Sequence, residues 1–228
     1  MSRDKDDHEY LHAFISMMDN LSDPWGIKDL HSRHVYMNKA AFAYTNTPLT
    51  FKIEGVRDED FPAVWAECAD ELIEHDKRTE ETKERVTVIE THYWFGRKEL
   101  SPYISEKLPI FNNKGECIGV IWNAKPFDNR TPLNFINQKT PTVLTTEVAT
   151  KTFTKAELDI VFLMLQRMSA KEIANIYDVS VRTIENRIHS IYQKADVHSL
   201  QQFEEYCVKH NLENYIPGRL INKGITFI

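Results

Sequence analysis

An α+β domain followed by an all-α, four-helix domain is the fold class that three observations predict. Residues up to about 127 mix alternating apolar runs, the mark of strands in an antiparallel sheet, with two helical periods. Residues 153–210 instead carry helix-start signals at short intervals and no strand pattern. Between them, "DNRTPLNFINQKTPTVLTTEVATKT" (residues 128–152) holds Pro132, Pro141 and many Thr and Asn with no sustained period, which reads as a linker. The expected division is a domain over 8–127, a linker over 128–152, a helical domain over 153–215 and a C-terminal tail over 216–228. At 228 residues and 42% hydrophobic content, two small packed cores are affordable.

The opening "MSRDKDDHEY" is too charged for a secretion signal, and no window approaches the roughly 18 apolar residues of a membrane helix. A cytoplasmic protein without membrane contact is expected. Cys68, Cys117 and Cys207 are odd in number and lie far apart, without CxxC or Cys/His ligand spacing. Reduced thiols and no metal site follow. The formal net charge is -6, but residues 151–228 hold 10 Lys+Arg against 9 Asp+Glu, so the acidity belongs to the first part.

The elements follow in chain order. "HEYLHAFISMMDNL" (8–21) places Leu11, Phe14, Ile15, Met18 and Leu21 at helical spacing, more apolar surface than a free helix leaves in water, so it should cap the sheet or pair with a second copy. "DPWGIKDLHSRHVYMNKAAFAY" reads as two short strands running into a helix. "FPAVWAECADELIEHD", with Phe61, Val64, Trp65, Cys68 and Leu72 in helical register, predicts a helix over 58–76. The acidic run from Asp58 to Glu84 reads as its solvated face continuing into a charged loop. "ERVTVIETHYWFG" alternates over some ten residues, with Val86, Val88, Glu90, His92 and Trp94 on one side, and predicts a long strand. "SEKLPIFNNKGECIGVIWNAKPF" adds two strands joined at Asn112-Asn113-Lys114-Gly115, since Asn and Gly tolerate positive φ.

On these motifs, residues 10–127 resemble a PAS domain: "DPWGIKDLHSRHVYMN" is similar to its opening hairpin, and "EKLPIFNNKGECIGVIW" to its closing one. The resemblance implies a sensor that can hold a small organic ligand between sheet and helices. The candidate lining residues are Trp25, Trp65, Trp94, Trp122 and His92, with plain core packing as the competing account of the tryptophans. His75 or His92 as a haem ligand gives a second alternative. Cys68 in "WAECAD" does not fit the reactive Asn-Cys-Arg context of flavin-binding PAS domains.

In the second domain "FTKAEL" and "MSAKEI" are capping boxes, Thr154 with Glu157 and Ser169 with Glu172. Ser180 caps a third helix and Ser199, with Gln202, a fourth. The predicted spans are 154–167, 169–177, 180–195 and 199–210, and only Asp178-Val179 separates the middle two, the tight joint of a helix-turn-helix. At about 100° per residue, Val181, Ile184, Ile188, Ile191 and Ala195 share one arc of the third helix, while Arg182, Asn186, His189 and Gln193 share the opposite one. An ordinary amphipathic surface helix would show the same split. The tight joint and the net-positive polar face favour a helix that enters the major groove, where local charge counts rather than total charge.

The stretch from Phe153 to Ser199 resembles the LuxR/GerE-type helix-turn-helix: Thr154 and Glu157, Glu172-Ile173-Ala174, Ser180 with Thr183-Ile184, and Ile191 with Lys194 all fit its pattern. The resemblance implies a four-helix DNA-binding domain acting as a homodimer, base-reading residues at Glu185, Asn186 and His189, and phosphate-side residues at Thr183 and Lys194. With Ser180, Arg182 and Arg187 these make up the candidate DNA-binding set. Arg167 stands where the family usually has Gly, and Arg187 where it often has His. By the same resemblance Leu200, Phe203 and Cys207 of the last helix form a candidate dimer face.

No P-loop, GxGxxG, GxSxG or HExxH is present, so an enzyme is not expected. The expected function is sequence-specific transcription regulation on double-stranded DNA, controlled by a ligand or partner at the first domain, with RNA polymerase as a further partner. A protein-interaction adaptor whose helix-turn-helix no longer binds DNA is the alternative from another class, alongside the haem-based sensor.

Overall fold

The computed structural model describes residues 14–127 and 144–228. They fall into two compact units, one running to Phe127 and including Lys223–Ile228, the other lying between.

The first unit is a six-stranded antiparallel sheet in the order β2-β1-β5-β4-β3-β6. β1 (Trp25–Asp29) and β2 (His34–Met37) form the opening hairpin, and Asn38 closes it. Its side chain accepts from the Ala41 N–H to cap α1 (Lys39–Tyr44) and also accepts from the Trp25 N–H, fixing the helix to the first strand. The helix expected over 58–76 is instead two short 3-10 turns, Asp58–Asp60 and Val64–Cys68, followed by α2 (Ala69–Thr82). The apolar spacing read there as one helix spans the break. Phe61, just past the first turn, reaches the core together with Trp65 of the second and Leu72 of α2, while Val64 stays exposed.

β3 (Val86–His92) ends three residues earlier than its alternation suggested. Phe95 takes a left-handed φ of 59° inside a 3-10 turn at Trp94–Gly96, which folds Trp94 back under the sheet. β4 (Ser101–Phe111) and β5 (Cys117–Pro126) pair along nearly their whole length across the Asn112–Gly115 turn. β6 (Gly224–Phe227), in the segment expected as a plain tail, adds to the free edge of β3. Of the helix expected at 8–21, residues 8–13 lie outside the described residues; 14–18 are helical, with Met18 fully buried and Phe14 and Leu21 exposed.

In the second unit the punctuation is where the sequence puts it. α3 (Lys155–Leu165) and α4 (Ala170–Tyr177) start at complete capping boxes on Thr154 and Ser169. α5 (Val181–Ala195) and α6 (Leu200–Lys209) are capped by Ser180 and Ser199. Ile160, Val161, Ile173, Ile184, Ile191 and Phe203 form one buried core. Phe203 and Cys207 point into this core, so they are not free to form the dimer face expected of them. Val181, expected on the buried arc of α5, is exposed at its first turn. Leu144 is buried, and Thr145 bridges to Tyr215, so the end of the expected linker is part of this unit.

The joint between α3 and α4 explains Arg167. Its N–H bonds the Met164 carbonyl and the Met168 N–H bonds the Leu163 carbonyl, a Schellman turn whose pivot must be left-handed. Arg167 sits there with φ of 62°, a conformation glycine adopts without cost, and its exposed guanidinium pairs with Glu204 at 2.8 Å. Relief of the strained φ outweighs a surface ion pair. Arg167→Gly should therefore stabilise the helical unit by about 0.5–1 kcal/mol, read by chemical denaturation; a destabilised variant would show the ion pair to be the larger effect.

Candidate functional site

The first unit encloses a cavity of about 30 Å³ between its sheet and helices, room for about two water molecules as it stands. One side is aromatic: Tyr44, Trp65, Trp94 and Trp122. The other is ionic. Lys28 bonds Asp58 and reaches Asp76 at 3.2 Å; Lys107 bonds Asp76 and donates to the Leu72 carbonyl at 2.9 Å; His34 Nε2 donates to Asp58 at 2.8 Å. All of these side chains are buried. Two lysines against two aspartates balance the charge, which is what allows so polar a cluster to sit inside a core.

Burial and pairing divide the protonation states. Burial opposes ionisation of Asp58 and Asp76, but the adjacent ammonium groups hold both carboxyls below the usual range. Burial would also lower Lys28; Asp58 and Asp76 reverse that and keep its ammonium charged. Lys107 moves the other way, drawn below the ordinary lysine range by burial and by repulsion from Lys28. Burial likewise favours neutral His34 and raises Glu90, whose carboxylate accepts from the Tyr44 hydroxyl at 3.1 Å. Two buried polar atoms of lining residues, Trp122 Nε1 and His34 Nδ1, have no partner among the described residues. An unpaired buried donor is costly.

Of the residues the sequence singled out, Trp65, Trp94 and Trp122 line this cavity and Trp25 and His92 do not. Trp25 is half-buried at the start of β1; His92 donates to Glu67 at 2.8 Å. His75 donates to the Val86 carbonyl, also off the cavity. Among the described residues no cluster of His, Cys, Asp and Glu could hold a metal ion. The acidic run read as solvated in fact buries Asp58 and Asp76 completely enough to anchor both lysines. The position of Glu90 on the inward side of an alternating strand is the signal that could have exposed the polar floor. A larger groove of about 410 Å³, rimmed by Asn46, Tyr93, Arg97 and Lys98, shares Trp65 and Thr45 with the cavity, so Trp65 is the wall between them. Its indole N–H is held by the Thr45 carbonyl at 2.8 Å.

In the second unit α5 presents Arg182, Glu185, Asn186, Arg187, His189 and Gln193 to solvent while Ile184, Ile191 and Ala195 are buried. The joint before it is tight because Asp178 takes a left-handed conformation and Val179 N–H bonds the Ala174 carbonyl. Ser180 and Thr183 share a 2.8 Å hydroxyl hydrogen bond at the cap. Lys194 is not free: its ammonium donates to both Glu157 oxygens at 2.7 and 2.8 Å, joining the end of α5 to the capping box of α3.

A sheet domain with a small recess, aromatic on one side and ionic on the other, stands in one chain with a helix-turn-helix domain that exposes a polar helix, the arrangement of a sensor coupled to a transcription regulator. Residues 18–126 match the PAS fold family and residues 151–206 match the luxR family of bacterial regulatory proteins. The chain thus carries a PAS-type region followed by a luxR-type region, the architecture of a DNA-binding transcription regulator. No curated protein matches it. Among solved structures, the chain is similar to VqmA of Vibrio cholerae in complex with ligand and DNA, at 24% identity over 95% of this chain and 96% of that one, with a TM-score of 0.74. It is likewise similar to phage VqmA in complex with DPO, at 22% identity over 97% of each chain, with a TM-score of 0.73. A dimer of Vibrio cholerae VqmA in the absence of target DNA matches at 23% identity with a TM-score of 0.50, over 94% of this chain and 95% of that one. At these identities the likeness establishes the fold, shared over nearly the whole chain. Among the described residues no helix is long and apolar enough to cross a membrane.

Proposed function

We propose that this chain reads a specific DNA site with α5 and changes that activity when a small organic molecule occupies the PAS cavity. The observation that carries the reading is the exposed polar stripe of α5 immediately after a tight turn, the geometry that fits a major groove. Asn186, Glu185 and His189 read base edges in this proposal, while Arg182, Arg187, Thr183 and Ser180 serve the phosphates, and Lys194 reaches them by leaving Glu157. The working division is a sensor over 8–127 completed by β6, a linker over 128–152 whose last residues pack with the reader, and a reader over 153–215, acting in the cytoplasm as two copies and meeting RNA polymerase at the promoter. The VqmA complexes with ligand and DNA, and with DPO, support a ligand of that kind in the cavity.

Gly26 supplies the test. It pairs with Trp122 across the sheet, and a Cβ built on it would stand 2.4 Å from the indole Nε1 and Cε2. In Gly26→Ala the indole must therefore move from its place on the cavity wall. With DPO as the probe, the wild-type chain should melt a few degrees higher at about a hundredfold excess over Kd, and Gly26→Ala should show no such rise while keeping its affinity for DNA. An equal rise in both proteins would remove the cavity from the proposal.

A further inference from the structure

β6 reaches the sensor sheet only after the chain has passed through the reader, and its contacts fall on two of the elements that line the cavity, β3 and α2. Glu90 of β3, which lines the cavity, stands opposite Ile225, and Ile225 packs against the sensor core. The Phe227 ring lies under the Arg78 guanidinium at 3.9 Å and edge-on to His75 at 5.8 Å. Both partners are on α2, the helix whose Asp76 holds the two buried lysines. Just upstream, the chain is fastened to the reader. The Tyr215 hydroxyl donates to Asp159 at 2.6 Å, Arg219 pairs with Asp159 at 2.8 Å, and the Arg219 guanidinium covers the Tyr177 ring at 4.2 Å. With Lys223 bonded to Glu67 at 2.8 Å, only Leu220, Ile221 and Asn222 lie between the two sets of anchors.

We propose that β6 is a clasp: the edge of β3 is a docking groove for the chain's own C-terminal strand, and docking ties the exit of the reader to the cavity-bearing elements, so that DNA affinity depends on whether the strand is seated. A four-residue edge strand is at the low end of strand stability, which makes the clasp reversible rather than a fixed part of the sheet. Holding the reader at both of its ends restricts the orientations it samples, and binding that needs a defined orientation gains from that restriction. The proposal rests on the DNA-reading function above.

The backbone gives a local readout. Ile228 N–H donates to the Thr87 carbonyl, so by the alternation of antiparallel ladders Thr226 also bonds toward β3, and the amides of Ile89 and Thr91 point toward β6. Thr226→Pro removes a ladder donor and Phe227→Ala removes the ring anchor. In the full chain both should speed hydrogen exchange at Ile89 and Thr91 at least tenfold, and weaken affinity for the duplex that the wild type selects from a random pool about tenfold. The melting of the reader should not change. A synthetic peptide of residues 222–228 at millimolar concentration should restore amide protection in Thr226→Pro without restoring DNA affinity, because a free strand refills the groove but carries no tether.

Unchanged DNA affinity in variants whose amides have lost protection, or affinity rescued by the peptide, would reduce β6 to a structural edge strand. Amides unchanged in both variants would overturn docking itself. If the wild-type chain selects no duplex, the DNA-reading function falls and the coupling falls with it, while the amide exchange still decides whether the strand is docked.

Discussion

Asp76→Ala is expected to destabilise the sensor by about 3–5 kcal/mol, because it strands Lys107 and takes one of two partners from Lys28 inside a core that cannot hydrate them. All four tryptophans, at positions 25, 65, 94 and 122, belong to the sensor, so urea unfolding followed by tryptophan emission reports this unit separately from the reader. Removing one charge of each sign should recover much of the loss: the double variant Asp76→Leu with Lys107→Met leaves Lys28 paired with Asp58. If Asp76→Ala unfolds within about 1 kcal/mol of wild type, water reaches the cluster and the cavity is wetter than its burial implies.

On the reader, Asn186→Ala should cost about 1–3 kcal/mol at the selected duplex and almost nothing on a scrambled one, since an amide pairs with a base edge at two atoms. Lys194→Ala tests something different. In the free chain this ammonium is held by Glu157, so its loss removes a link between α3 and α5 as well as any phosphate contact. A phosphate contact shows as equal weakening on both duplexes and a salt slope lowered by about one unit. A slope unchanged in Lys194→Ala would confine the residue to its link with Glu157. Identical shifts on both duplexes for Asn186→Ala would mean that α5 does not read bases.

Helix starts in the reader were legible because capping is local: a hydroxyl and a carboxylate three residues apart specify a helix end whatever surrounds them, as Thr154 and Ser169 do. The strands of the sensor were legible for a similar reason, since alternation is local as well. What could not be read was long-range. Lys28, Asp58, Asp76 and Lys107 each look like surface charges in the chain, and they become a buried quartet only when β1, a 3-10 turn, α2 and β4 converge. The apolar alternation of Ile225 and Phe227 is visible in "GITFI", but a four-residue run has no strand identity until its partner is known, and the partner, β3, lies far upstream in the sequence, before the reader. The exposed stripe of α5 was placed correctly at Asn186 and His189. At Lys194 the angle was right, but the Glu157 contact depends on how α3 packs, which the helix period does not report.

The sensor is discontinuous in sequence, since its sixth strand is encoded beyond the reader. Sensor and reader are therefore not exchangeable as consecutive segments. A recombination event in the linker that swapped everything after residue 127 would give the sensor a foreign last strand, or leave it none. New pairings of input and output would then arise most readily by exchanging residues 144–222 as an insert, with both of its flanking seams kept from the parent. The same topology places a constraint on handling the protein, because a fusion appended after Ile228 follows directly on a residue that bonds β3 through its own N–H.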